Sequence, residues 1–225
     1  MRSIVRRACI LMIAVLFFAS ASGAKPKLIS EAEAKKAGLA LINQVFGVNE
    51  TEAAVSLYTY DGAVYSNGEI QPAENAEPVY SYQVAVMDKK TNDFRYAASV
   101  NAITGIAYKA SMKYSLLPAV TEQQKELAAA AKTPGSDTPY DFDKVSANCY
   151  QATRAWIGKT LHPEGPILGF VDRGFSMEGQ ARQMTMGFFT VMRDGTIYNI
   201  DMAWPQLQIY NFEILNQIGL CESDA

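Results

Sequence analysis

The chain has 225 residues, 49% of them hydrophobic and 19% charged, with 20 basic and 23 acidic residues and a net charge of −3. A length of this order supports a substantial core in one large or two small domains. The acidic balance disfavours nucleic acid and acidic membrane surfaces as partners.

At the N-terminus, Arg2, Arg6 and Arg7 precede an apolar block over residues 8–18, and small residues at 19–24 lead into Lys25-Pro26. This order predicts a cleavable secretory signal peptide over residues 1–24 and a mature chain that is exported, periplasmic or secreted. The block falls short of the roughly 20 apolar residues that a span across hydrocarbon needs, and no later segment reaches that length. Loss of the leader's three arginines leaves 17 basic against 23 acidic residues, a balance of about −6. It also removes Cys9. Cys149 and Cys221 remain, an even pair that predicts a disulfide in an exported chain, with two separate buried thiols as the alternative. Such a bridge would close a loop of about 70 residues and contribute roughly 4 kcal/mol.

Next comes a helix. Ser30 and Glu33 have capping-box spacing, Ala34, Ala37, Gly38, Leu41 and Val45 recur at helical intervals, and Gly47 stands where a C-terminal cap belongs. The stripe is made of small residues, which predicts a close approach to a sheet. Beyond it the period changes to two, over residues 55–60, 79–87, 94–100 and 106–112. Asp61-Gly62, Asn67-Gly68, Asn92-Asp93 and Thr104-Gly105 punctuate these runs. Connections this short predict an antiparallel meander.

After Pro118, Thr121 with Gln124 predicts a short helix through residue 131, and residues 133–139 read as a linker. Asp141 or Asp143 then caps a helix that places Val145, Cys149, Ala152 and Trp156 on one face and stops before Pro163. Strands are predicted at 167–172, 182–192, 196–202 and 207–212, with Asp194-Gly195 turning a hairpin. The order of the first unit thus repeats. The expected fold class is α+β, in two tandem modules at residues 25–117 and 140–225 joined by a helical linker at 118–139. Each module is a helix packed on an antiparallel, roughly four-stranded sheet, and the pattern fits one continuous sheet as well as two separate ones. Thr104-Gly105 before Tyr108 and Asp194-Gly195 before Tyr198 add a faint sign of duplication.

The first module resembles a PepSY domain. The resemblance is carried by the helix Ile29-Ser30-Glu31-Ala32-Glu33-Ala34-Lys35-Lys36-Ala37 and the strand Tyr82-Gln83-Val84-Ala85-Val86. Most telling is Phe94-Arg95-Tyr96-Ala97-Ala98-Ser99-Val100-Asn101-Ala102-Ile103-Thr104-Gly105-Ile106, a strand, a polar turn ending in Thr-Gly, and the start of a final strand. It covers about residues 28–113; the second module is PepSY-like or cystatin-like in its element order. The resemblance implies a non-catalytic module of the kind found in propeptides of secreted metalloproteases and in cell-envelope proteins, with inhibition or regulation of a peptidase as its expected role.

Catalytic chemistry is sparse. His162 is the only histidine and ends a helix, where it complements the dipole. With it and two cysteines expected to be bridged, neither a zinc set nor a Cys-His dyad can be assembled. Asp137, Asp141 and Asp143 fit helix capping better than a calcium loop. Asn49-Glu50-Thr51 is a glycosylation site only in a host with that machinery. Met184, Met186 and Met192 alternate along a strand with Phe188 and read as core filling rather than a copper site. No catalytic residue, metal or cofactor is therefore expected; an enzyme of unfamiliar type would use the stretch 164–173.

Tyrosines are the more suggestive group. Tyr58, Tyr60 and Tyr65 cluster in the first strands and Tyr80 and Tyr82 share one face of the next, so all five are candidate binding residues. The expected function is an exported, non-enzymatic binding module, an inhibitor or regulator of a secreted or cell-envelope protein such as a peptidase. The alternative is an exported small-molecule or lipid carrier with an apolar pocket between helix and sheet.

Overall fold

The structure, a computed structural model, describes residues 26–60, 63–66, 69–72, 78–133, 140–163, 165–178 and 183–215. The expected leader, Cys9 and Cys221 lie outside the described residues.

Helix α1 (Glu31–Phe46) begins and ends as its sequence dictates. Glu33 N–H donates to Ser30 Oγ at 3.3 Å, and Ser30 N–H donates to Glu33 Oε2 at 2.8 Å. Gly47 closes the other end at φ 66°, a left-handed conformation that glycine adopts without strain. Its buried stripe is Ala34, Gly38, Leu39, Leu41, Ile42 and Val45. At Gly38 the helix touches the sheet so closely that a Cβ there would lie 2.6 Å from Cβ of Val84.

Strands β1 (Ala54–Tyr60), β4 (Val79–Met87), β5 (Phe94–Asn101) and β6 (Ala107–Met112) follow, all antiparallel. Between β1 and β4 lies a hairpin that the alternation pattern missed, β2 (Ala63–Ser66) with β3 (Glu69–Pro72). After a 3-10 turn at Tyr114–Leu116, helix α2 (Glu122–Ala130) starts on the expected capping box of Thr121 and Gln124. It is more than a linker, since Ala128 and Ala131 are buried in the core and Gln124 Nε2 donates to Gln206 O at 2.9 Å.

Helix α3 (Phe142–Thr160) is capped by Asp141, which accepts from the Asp143 and Lys144 amides at 3.1 and 3.3 Å. It buries Val145, Cys149, Thr153 and Ile157, with Ala152 and Trp156 at the margin. Strands β7 (Ile167–Glu178), β8 (Gln183–Met192), β9 (Ile197–Ala203) and β10 (Gln208–Ile214) complete the chain.

The expectation of two tandem modules, each a helix on a roughly four-stranded sheet, is overturned. All eight long strands form a single antiparallel sheet in the order β1-β4-β5-β6-β10-β9-β8-β7. The join is β6 with β10, where Ser111 faces Asn211, Ala110 faces Phe212 and Lys109 faces Glu213. Each half would otherwise end on a strand with an unpaired edge; pairing the two satisfies both rows of backbone groups and merges the cores. Ala110 and Phe212 accordingly lie in one apolar cluster with residues of α1, α3, β8 and β9.

The order is palindromic and equivalent strands meet antiparallel, as an approximate two-fold axis between β6 and β10 requires. Helices α1 and α3 cover the same face and meet through their C-terminal turns: Trp156 Nε1 donates to Val45 O at 3.3 Å and Gln44 Nε2 to Thr160 O at 2.9 Å. This symmetry corrects the sequence comparison of turns. Gly105 turns β5 into β6, whereas Gly195 turns β8 into β9, so the two glycines stand one hairpin out of step.

Candidate functional site

The chemistry-bearing side chains are held by the core or by one another. Among the described residues no cluster of histidine, cysteine and carboxylate groups could hold a metal ion. His162 lies just past α3 at φ 46°. Met186, Met192 and Phe188 are fully buried, and Met186 and Phe188 share an apolar cluster with Val145 and Cys149 of α3, which makes that face core. Cys149 is buried and unbridged in the structure, and burial, with Asp172 adding to it, pushes its thiol up to about 12. A thiol held protonated in this way is a poor nucleophile at neutral pH.

One polar cluster sits beside it on the covered face. Tyr150 stacks on Phe170 with ring centroids 4.3 Å apart and planes at 8°, and its hydroxyl donates to the Asp172 carboxylate. Arg154 lies over Phe170, 4.9 Å from the ring centroid. Burial and then the Asp172 hydrogen bond raise the Tyr150 hydroxyl well above its ordinary value, so it stays protonated and acts as a donor that ties α3 to β7.

The face of the sheet away from the helices carries two continuous cross-strand rows. One runs Ser56, Gln83, Ser99, Lys109, Glu213, Asn199, Phe189, Val171 from β1 to β7. The other runs Ala54, Ala85, Ala97, Ser111, Asn211, Asp201, Gly187, Gly174. Their charges pair internally. Arg173 meets Asp201, Asn211 Nδ2 donates to Asp201 Oδ2 at 2.8 Å, Asn199 Nδ2 donates to Glu213 Oε2 at 3.2 Å, and Lys109 stands 3.8 Å from Glu213. Gly187 makes the first pair possible, because a Cβ there would lie 2.6 Å from the Arg173 guanidinium. The arrangement braces the sheet and presents no nucleophile beside a base.

The five tyrosines separate. Tyr82 is buried on the helix side, where its hydroxyl donates to Ile29 O at 3.0 Å, and Tyr80 packs half-buried on that side. Tyr58 points to the other face and is 45% exposed. The side chains of Tyr60 and Tyr65 lie outside the described residues.

What remains distinctive is the contrast between the two outer edges. β7 is interrupted by register shifts at Ile167/Gly169 and Asp172/Gly174, carries Asp172 and Arg173, and has Gly174 at φ 104°. Bulges, charges and glycines of this kind blunt an edge, although Leu168 and Val171 are exposed along it. β1 has none of these devices. Its seven residues, Ala54–Tyr60, contain no charge, proline or glycine and pair with β4 without a register shift. Leu57 on one face is 44% exposed, beside Tyr58 on the other. Sequence reasoning found Tyr58 and missed Leu57, whose signal was a leucine inside an uncharged strand at the border of the unit.

No family model, curated protein or solved structure matches the chain.

Proposed function

We propose that the chain is an exported, non-enzymatic binding protein that takes an extended segment of a protein partner along the outer edge of β1. The observation that carries this reading is the unblunted, uncharged edge of β1 opposite a blunted β7. An edge of this kind offers a row of backbone donors and acceptors to an added strand, while side-chain contacts at alternate positions supply selectivity. Leu57 would meet apolar side chains on the helix side and Tyr58 would meet aromatic or aliphatic ones on the other. The leader supports an exported or envelope partner, and the PepSY resemblance supports a peptidase as its class.

The test is quantitative capture from the exported fraction with the mature chain, Leu57→Lys and Val171→Lys as baits. Wild type and Val171→Lys recover one saturable partner, and Leu57→Lys binds it at least about tenfold more weakly. Absence of a saturable partner, or its retention by Leu57→Lys, contradicts the reading.

A further inference from the structure

The β1 edge supports a second step, which shares with the proposed function the premise that this edge is competent to pair. An uncharged strand edge without a bulge is an association hazard for any chain that leaves it uncovered. The fold already meets this problem once, where β6 and β10 pair antiparallel across the approximate two-fold axis and each removes the other's edge. We propose that a second copy of this chain covers β1 in the same manner, two protomers pairing antiparallel about Leu57 to make one continuous sheet, and that a partner segment displaces this resting cover.

The sequence of β1 is self-complementary in that register. Leu57 faces Leu57, Ser56 faces Tyr58, Val55 faces Thr59 and Ala54 faces Tyr60, so every position of the strand is paired. Residues of equal parity meet. Outward-pointing backbone groups therefore oppose one another, and each side chain meets one from the same face of the sheet. Val55 and Leu57, which pair with Val84 and Tyr82, continue the helix-covered face across the axis. No charge opposes a like charge, and the exposed Leu57 and Tyr58 become covered.

A single seven-residue strand pair is smaller than a standard interface, so the dimer is reversible, with a dissociation constant of micromolar order or weaker. Two mature chains of about −6 each repel, and the contact itself is uncharged. Dimerisation therefore strengthens as salt rises.

Sedimentation velocity of the mature chain over roughly three decades of concentration tests this. Wild type shifts from monomer toward dimer, and more readily in high salt. Leu57→Lys, which sets two ammonium groups opposite each other, stays monomeric with an unchanged circular dichroism spectrum, and Val171→Lys behaves as wild type. Independently, Leu57→Cys forms an interchain disulfide under mild oxidation and Val171→Cys does not. A wild type that stays monomeric throughout, a Leu57→Lys dimer of wild-type affinity, or cross-linking at Val171→Cys alone overturns the inference. The two readings fail separately. Capture of a saturable partner by a strictly monomeric wild type retains the proposed function and removes self-pairing, while a dimer without a partner does the reverse.

Discussion

Gly38 shows how a single missing atom sets the helix-to-sheet distance. A methyl group at this position meets Val84 at 2.6 Å, so Gly38→Ala forces α1 outward or Val84 aside. We expect a loss of about 1–3 kcal/mol in urea unfolding despite alanine's better helix propensity. Cys149 gives a prediction of opposite chemical character. The unfolded thiol ionises near 9.0, whereas burial holds the folded one up to about 12, so above pH 9 the unfolded chain binds fewer protons and stability falls as pH rises. Between pH 9 and 10 this thiol contributes a slope that grows from about 0.7 to about 1.2 kcal/mol per pH unit, and Cys149→Ala loses that share while the share due to Tyr150 remains. Equal slopes in the two proteins would contradict a buried free thiol. Both residues were legible in the sequence, since helical spacing placed Gly38 in a small-residue stripe and Cys149 beneath Val145. Tyr82 was not. Alternation groups Tyr80 with Tyr82 but carries no information about which face the helix will cover.

At the level of elements, what is local was readable and what is distant was not. Ser30, Thr121 and Asp141 each cap the helix that follows because capping involves residues two or three apart in the chain. Ser30→Ala removes the acceptor for the Glu33 amide and is expected to cost about 1 kcal/mol, measurable as a lower thermal midpoint. The Glu33 carboxylate is held below its ordinary value by the Ser30 amide and then the Ser30 hydroxyl. Its contribution is present above pH 4.5 and fades as pH falls below that value. The β2–β3 hairpin escaped because its strands are four residues each, too short for alternation to register. The difference between β1 and β7 was half legible: the charges of β7 are plain, but bulges depend on the neighbouring strand and appear only in the pairing.

At the scale of the whole molecule, two similar halves behave as one body because their last strands are neighbours. The contact joins residues about a hundred positions apart, and each half's pattern is complete without it, so periodicity alone does not tell one continuous sheet from two. The shared core makes a further prediction. Phe212 is fully buried at the join, against Trp156 and Tyr198, and Phe212→Ala is expected to cost about 3–5 kcal/mol. Its unfolding remains one transition, with tryptophan fluorescence, which reports Trp156 and Trp204 in the second half, coinciding with amide signals from the first. Separate midpoints would mean independent modules. The most direct test of one sheet with one open edge is hydrogen exchange resolved to single amides in dilute protein lacking residues 1–24. We expect β6 and β10 to exchange among the slowest, through global unfolding, while alternate amides of β1 exchange freely and become protected when the edge is occupied. Fast exchange along β6 and β10, or uniform protection of β1 in the dilute monomer, would contradict it.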